Sequence, residues 1–313
     1  MADPWYSRMR RNAMEYAEGS NFHGLKFIFY ASSTFARCMW LFVFLLATTG
    51  FVYQVQDRIG YYLGLPIRVN IEVEEASELK FPAVTICNTN SFVMSTAYWD
   101  GLFYNLTRYY TATRVVRSTM TELDSMNATE MALRLAHKKK DMIKYCFFRS
   151  TPCSYLNFTT RLTDYGVCYT FNGNSREQEM TTNTGSTDGL TLLLNVEQYQ
   201  SMSGTHPSAG IKFLVHSPGD IPRVTELGLA VPASMNGVVG LKYSLIDNLQ
   251  KPYGSCVDDS ESQNNCMIRL SVSEAAATCR CRPGYATWLT EWPVCNLTAS
   301  NNCLEQKMGG QWS

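Results

Sequence analysis

Nineteen consecutive residues, Cys38 to Gln56, carry no charge, and this run constrains the rest of the chain. Wound as a helix it spans roughly 30 Å, the thickness of a bilayer's hydrocarbon core. Arg37 closes it on one side and Asp57 on the other. Trp40 and Tyr53 stand near its two ends, where amphipathic rings suit membrane–water interfaces. A buried helix of a soluble protein would normally carry a polar face, and this one carries none. A cleaved signal peptide would start earlier and have a shorter apolar stretch.

The orientation follows from the flanks. Arg8, Arg10, Arg11, Lys26 and Arg37 precede the run, against Asp3, Glu15 and Glu18, which favours a cytoplasmic N-terminus. Four N-x-S/T sequons, at Asn105, Asn127, Asn157 and Asn296, all follow it. So do ten of the eleven cysteines, a density suited to an oxidising compartment. The C-terminal part is therefore expected outside the cell, glycosylated and disulfide-bonded. The apolar stretch Leu227–Leu241 is too short and too rich in Gly and Pro for a second span; it reads as strands and turns.

Lys plus Arg equals Asp plus Glu, at 27 each, which speaks against a nucleic-acid partner. No HExxH, GxSxG or phosphate-cradling glycine loop is present, so neither an enzyme nor a bound cofactor is expected. The ectodomain reads as α+β. FPAVTICN (Phe81 to Asn88) is a short apolar run of the kind that forms a buried strand. Residues 96 to 145 read as helical, with Met131, Leu133, Leu135, Met142 and Ile143 on a partial apolar face. The interrupting run His137-Lys138-Lys139-Lys140 reads as a solvated helix face. From Cys146 the pattern turns to strands, with Gly189–Val196 and Ala209–Ser217 the clearest.

Several segments in this order resemble the degenerin/epithelial sodium channel superfamily, which includes acid-sensing and FMRFamide-gated channels. They are FHGLKFIF before the span, FPAVTICN after it, then CFFRSTPCSYLNFTTRLTDYGVCYTFN, AGIKFLVHS, KPYGSC and the TCRCRPGY cluster. The resemblance implies a subunit of a trimeric, sodium-selective, amiloride-sensitive pore in the plasma membrane, made of like or mixed subunits. It implies a cytoplasmic segment 1–37, a membrane helix 38–56 and an extracellular part 57–313. Within that part, 57–95 would open the palm and 96–152 form the finger. Residues 153–250 would supply β-ball, palm and knuckle, and 251–313 part of the thumb. The match stops inside the thumb, before the second membrane helix of the family, so the chain is similar to a fragment or short isoform that should not conduct alone.

The resemblance also assigns residues. His23 and Gly24 would affect gating near the inner mouth of the pore. Cys87 would pair with Cys168, Cys146 with Cys153, Cys279 with Cys303 and Cys281 with Cys295. Disulfides are favoured over a zinc site at Cys279-Arg-Cys281, so no metal is expected. Cys38 would be a free thiol in the span. Cys256 and Cys266 are left unpaired or paired with each other, and Leu270 stands where the family often has a further thumb cysteine. Tyr61 or Tyr62, just beyond the span, would meet Tyr253 in a contact linking thumb to pore; a core tyrosine is the equal alternative. His137, His206 and His216 are scattered, and Asp220 alone remains of an acidic cluster, which points away from proton sensing. A peptide-gated or mechanically gated channel is the expected type, with a non-conducting modulatory isoform or a single-pass adhesion ectodomain as alternatives.

Overall fold

A computed structural model describes residues 4–20, 24–67, 69–112, 127–174, 176–203, 206, 208–254 and 261–309. Two compact units result: Met1–Glu72 with Leu245–Asp258, and Val73–Ser244 with Asp259–Ser313.

The first unit holds helices α1 (Pro4–Gly19), α2 (Leu25–Tyr30) and α3 (Thr34–Leu63). The apolar run forms α3, and the helix extends past it at both ends. It starts earlier because Ser33 caps it, its hydroxyl accepting from Ala36 N at 3.2 Å. Its C-terminal extension holds the exposed Asp57–Arg58 pair before the helix closes at Gly64. Not one residue of this 30-residue helix is buried by protein. It is the one helix among the described residues long and apolar enough to cross a membrane.

The second unit is built on antiparallel sheets. Strands β1 (Leu79–Lys80) and β2 (Ala83–Asn88) precede helices α4 (Met94–Trp99), α5 (Phe103–Thr111), α6 (Ala128–Leu135) and α7 (Lys139–Met142). Then come β3 (Ile143–Phe148), β4 (Thr151–Cys153), β5 (Phe158–Thr163), β6 (Gly166–Phe171), β7 (Met180–Thr181), β8 (Leu190–Leu194) and β9 (Gly210–His216). Helix α8 (Val224–Leu227), strand β10 (Leu229–Pro232) and helix α9 (Gln263–Cys279) complete the frame. The stretch read as helical over 96–145 is thus several short helices that give way to β3 at Ile143. Ile143, Cys146 and Phe148 are the buried positions of that strand, a two- to three-residue spacing that no helix face matches. Residues 113–126 of that stretch lie outside the described residues.

The central sheet runs β10-β9-β2-β6-β5. Every residue of β2 is buried, because β6 and β9 flank it and packing covers both faces. Its Val84, Thr85 and Ile86 are β-branched, which suits that position. A second sheet, β4-β3-β8, shares a core with the first. Phe81, Phe148, Phe158 and Phe171 meet there, with ring centroids 4.9 Å (Phe81–Phe148), 5.3 Å (Phe148–Phe171) and 5.5 Å (Phe158–Phe171) apart. The β3–β4 hairpin turns through Arg149 and Ser150, at φ 51° and 58°, the primed geometry that matches strand twist.

Two bridges lock registered strand pairs. Cys87 stands opposite Cys168 in the β2–β6 ladder, with Cα atoms 4.5 Å apart, and Cys146 opposite Cys153 in β3–β4, at 4.9 Å. Cys279–Cys303 and Cys281–Cys295 staple the chain that follows α9. That region has its own small core of Ile268, Val272, Ala276, Ala286 and Leu289. The helical patch has another, built on Phe92, Leu106, Tyr109, Met131, Leu135 and Leu297.

Candidate functional site

The approach to α3 turns at Gly24. Its φ of 98° lies in the left-handed region, where a side chain would be strained, and it opens α2. Phe27 of α2 then stacks on Trp40 of α3, with centroids 4.7 Å apart and planes 21° from parallel. Arg37 Nε donates to the Ala31 carbonyl at 3.0 Å and holds the linker between them. An open cleft between these elements is lined mainly by apolar side chains, among them Ala17, Phe27, Trp40, Phe44 and Ala47. His23 lies outside the described residues.

In the middle of α3, the Thr48 and Thr49 hydroxyls donate back to Phe44 O and Leu45 O, each at 2.8 Å. The helix therefore turns its mid-span polar atoms onto its own backbone. Tyr61 and Tyr62, near its end, are exposed, and Leu65 just beyond bends the chain at φ 47°. Tyr253 belongs to the same compact unit as α3 and is 45% exposed. Among the described residues, no ring pairing joins Tyr253 to Tyr61 or Tyr62.

The ectodomain carries a buried polar node. His137 is 3% exposed; its Nδ1 lies 2.8 Å from Glu197 Oε2 and its Nε2 3.4 Å from Asn90 Oδ1. Glu197 sits at φ 50°, an uncommon conformation for this residue, and Tyr199 Oη donates to its other oxygen at 3.3 Å. The Tyr169 hydroxyl donates to the His137 carbonyl, and burial pushes its pKa up to about 12. The node thus ties the end of the helical patch to the exit of β8 and to the central sheet. His137 and Lys139 turn inward, Lys139 Nζ donating to Phe158 O at 2.8 Å, while Lys138 and Lys140 face solvent. The basic run is not the solvated helix face expected of it. The short α7 and the adjoining turn direct Lys139 against β5 and His137 towards Glu197.

A second polar ladder crosses the central sheet. Thr85 Oγ1 lies 2.8 Å from both Thr170 Oγ1 and His216 Nε2. His216 Nδ1 sits 3.0 Å from Ser217 O; as donor there, it leaves Nε2 to accept from Thr85. Burial holds the His216 pKa below its ordinary value. Asp164, by contrast, is raised by burial although its carboxylate accepts from Val224 N at 2.8 Å and Thr225 N at 3.0 Å. His206 stacks on Tyr165 at 3.9 Å, with Lys212 Nζ 4.9 Å from that ring; burial, then the Lys212 charge, lower its pKa. The three ectodomain histidines therefore have separate partners.

Asp220 anchors the C-terminal region. Its carboxylate accepts from Ser262 Oγ at 2.7 Å, and Ser262 caps α9 by accepting from Asn265 N. Asn265 Oδ1 accepts from Ile221 N at 2.8 Å, closing a small network around the helix start. Arg269 on α9 lies over the Trp288 ring at 4.9 Å and pairs with Glu261.

The chain matches the family model described as amiloride-sensitive sodium channel over residues 16–312. It belongs to that family. Among curated relatives, acid-sensing ion channel 1C of Danio rerio is 31% identical over 94% of this chain and 62% of the relative. The FMRFamide-activated amiloride-sensitive sodium channel of Cornu aspersum is 29% identical over 78% of this chain and 42% of the relative. The bile acid-sensitive ion channel of Homo sapiens is 27% identical over 86% and 58%. The chain thus spans about two fifths to under two thirds of the length of these relatives. This is a family of ion channels and not of enzymes.

Within this sodium channel family member, the four bridges join the same cysteine pairs that the resemblance implied. Among the described residues, Cys38 and Cys266 are free and exposed; Cys256 lies outside them. Asn157 is exposed, with Oδ1 accepting from Ser154 N; Asn105 is half-buried on α5. Asn127 and Asn296 each cap a helical turn and pair with one another in an isolated antiparallel bridge. The His137–Glu197 node was missed by sequence reasoning. A histidine heading a lysine run gives no local sign of a carboxylate partner 60 positions away.

Proposed function

We propose that this chain is a subunit of an amiloride-sensitive, ligand-gated sodium channel of the plasma membrane. Helix α3 crosses the bilayer with α1 and α2 in the cytoplasm and the disulfide-bonded unit outside. The observation that carries this reading is α3 itself: an apolar helix without a single protein-buried residue needs another apolar medium, and lipid supplies it. The family match and the FMRFamide and bile acid named in relatives support a small ligand as stimulus. The separate settings of His137, His206 and His216 weigh against a clustered proton sensor. Gly24 with His23 would shape the inner mouth, and Tyr253 with Tyr61 or Tyr62 would couple the ectodomain to the span. The subunit assembles as a homo- or hetero-trimer. Patch-clamp recording tests the function: coexpression with a longer family member should change the amiloride-sensitive sodium current and yield a copurifying complex. A chain that neither copurifies nor alters current would overturn it.

A second reading, a non-conducting modulatory form, is favoured by one observation. Conduction needs polar groups at membrane depth, whereas Thr48 and Thr49 bond back onto their own helix and no charge stands between Cys38 and Gln56. On that reading the chain carries no current alone, and any sodium current from it alone would exclude this form.

A further inference from the structure

Two of the four sequons meet in the folded molecule. Asn127 and Asn296 stand opposite each other as an antiparallel bridge. Residues so placed project their side chains to the same face, with Cβ atoms about 5 Å apart. Both side chains are used locally: Asn127 Oδ1 accepts from Thr129 N at 2.9 Å, and Asn296 Oδ1 from Ala299 N at 2.8 Å. Asn127 is exposed and Asn296 half-buried.

The remaining sequon residues are packed at the same contact. Leu297, 6% exposed, enters the core of the helical patch, and Tyr109 Oη donates to its carbonyl at 3.4 Å. Thr298 Oγ1 is buried. Thr129 lies against Gly284, where an added Cβ would collide with its side chain. In the folded state the Thr298 hydroxyl is covered, and the half-buried Thr129 is hemmed in by Gly284.

We propose that Asn127 and Asn296 are mutually exclusive glycan acceptors: a mature molecule carries a sugar at one of them at most, and Asn127 is the favoured bearer. The inference rests on the extracellular placement proposed above. Modification occurs on the chain before this contact closes. The donor is a polyprenyl-diphosphate-linked oligosaccharide of the secretory pathway. The side-chain amide nitrogen forms a bond to the anomeric carbon and releases a proton; the anomeric carbon–oxygen bond to phosphate breaks, and the diphosphate leaves with the electron pair. A sugar on Asn127 projects from an exposed position. Two sugars rooted on neighbouring side chains of one face, about 5 Å apart, crowd each other and the half-buried Asn296, so a doubly modified chain cannot close the contact at Leu297 and does not mature.

Glycopeptide mass spectrometry on the full chain from the cell surface tests this. In the unmodified sequence, the occupancies of Asn127 and Asn296 should sum to no more than one sugar per molecule. Thr129→Ala silences the first sequon and keeps the Asn127 cap; occupancy at Asn296 should then rise several-fold. If that variant fails to reach the surface, Asn127→Gln gives the same readout. Sugar on Asn157 together with a sum above one overturns the exclusion alone, as does unchanged Asn296 occupancy in the silenced variant. Absence of sugar from all four sequons overturns the orientation itself, and the exclusion with it.

Discussion

Helix α3 and strand β2 contain two of the most apolar runs of the chain, and they stand at opposite limits of burial. All six residues of β2 are buried, and none of the thirty of α3 is. Two apolar runs thus end in different surroundings. Strand β2 is paired on both edges, by β6 and β9, so its backbone groups are satisfied across the sheet and its side chains by protein. Helix α3 satisfies its backbone internally, the requirement for a segment in lipid, and leaves its side chains uncovered by protein. The polar atoms differ in the same way. Thr85 bonds across strands to Thr170 and His216, whereas Thr48 and Thr49 bond only within their own helix.

The largest effect that could break this comparison is a cavity in the core to which β2 contributes. Phe158→Ala removes a side chain 1% exposed and should destabilise the ectodomain by about 3–5 kcal/mol, read as a lower denaturant midpoint. Leu46→Ala, at a position 62% exposed on α3, should leave that midpoint unchanged. Equal losses would mean that α3 packs on protein. A charge sharpens the contrast from the other side: Leu45→Arg should cost about 3 kcal/mol of membrane insertion and appear as alkali-extractable protein. Ser262→Ala removes the cap of α9 and its bond to Asp220, and should cost about 1 kcal/mol without touching membrane insertion.

The smallest effect is one of pH. Burial lowers the folded pKa of His216 below 6.5, so the unfolded chain takes up the proton first as pH falls. Ectodomain stability should therefore decline as pH drops below about 6.5. His216→Gln should flatten that decline in melting measured across pH 5 to about 7.5. His206 acts in the same direction through its own burial, so some slope should persist. A variant with an unchanged slope would show that His216 is not a source of it.

Much of the frame was legible in the chain because it depends on local pattern. The span, the buried strand at FPAVTICN and the strands at 190–194 and 210–216 follow from runs and alternation that short-range geometry enforces. The β3–β4 hairpin was not legible, since Arg149-Ser150 lacks the Asn-Gly signal usual for its geometry. Nor was the inward turn of His137 and Lys139, whose partners Glu197 and Phe158 are distant in sequence.

The sequence by itself determined which segment seeks lipid and which cysteines and sequons lie on one side of it, because charge and apolar length act along the chain. Tertiary structure alone decided that His137 faces Glu197 and that Asn127 pairs with Asn296. Those encounters depend on how separate elements close on each other, and no local spacing encodes the register of two surfaces that meet only after folding.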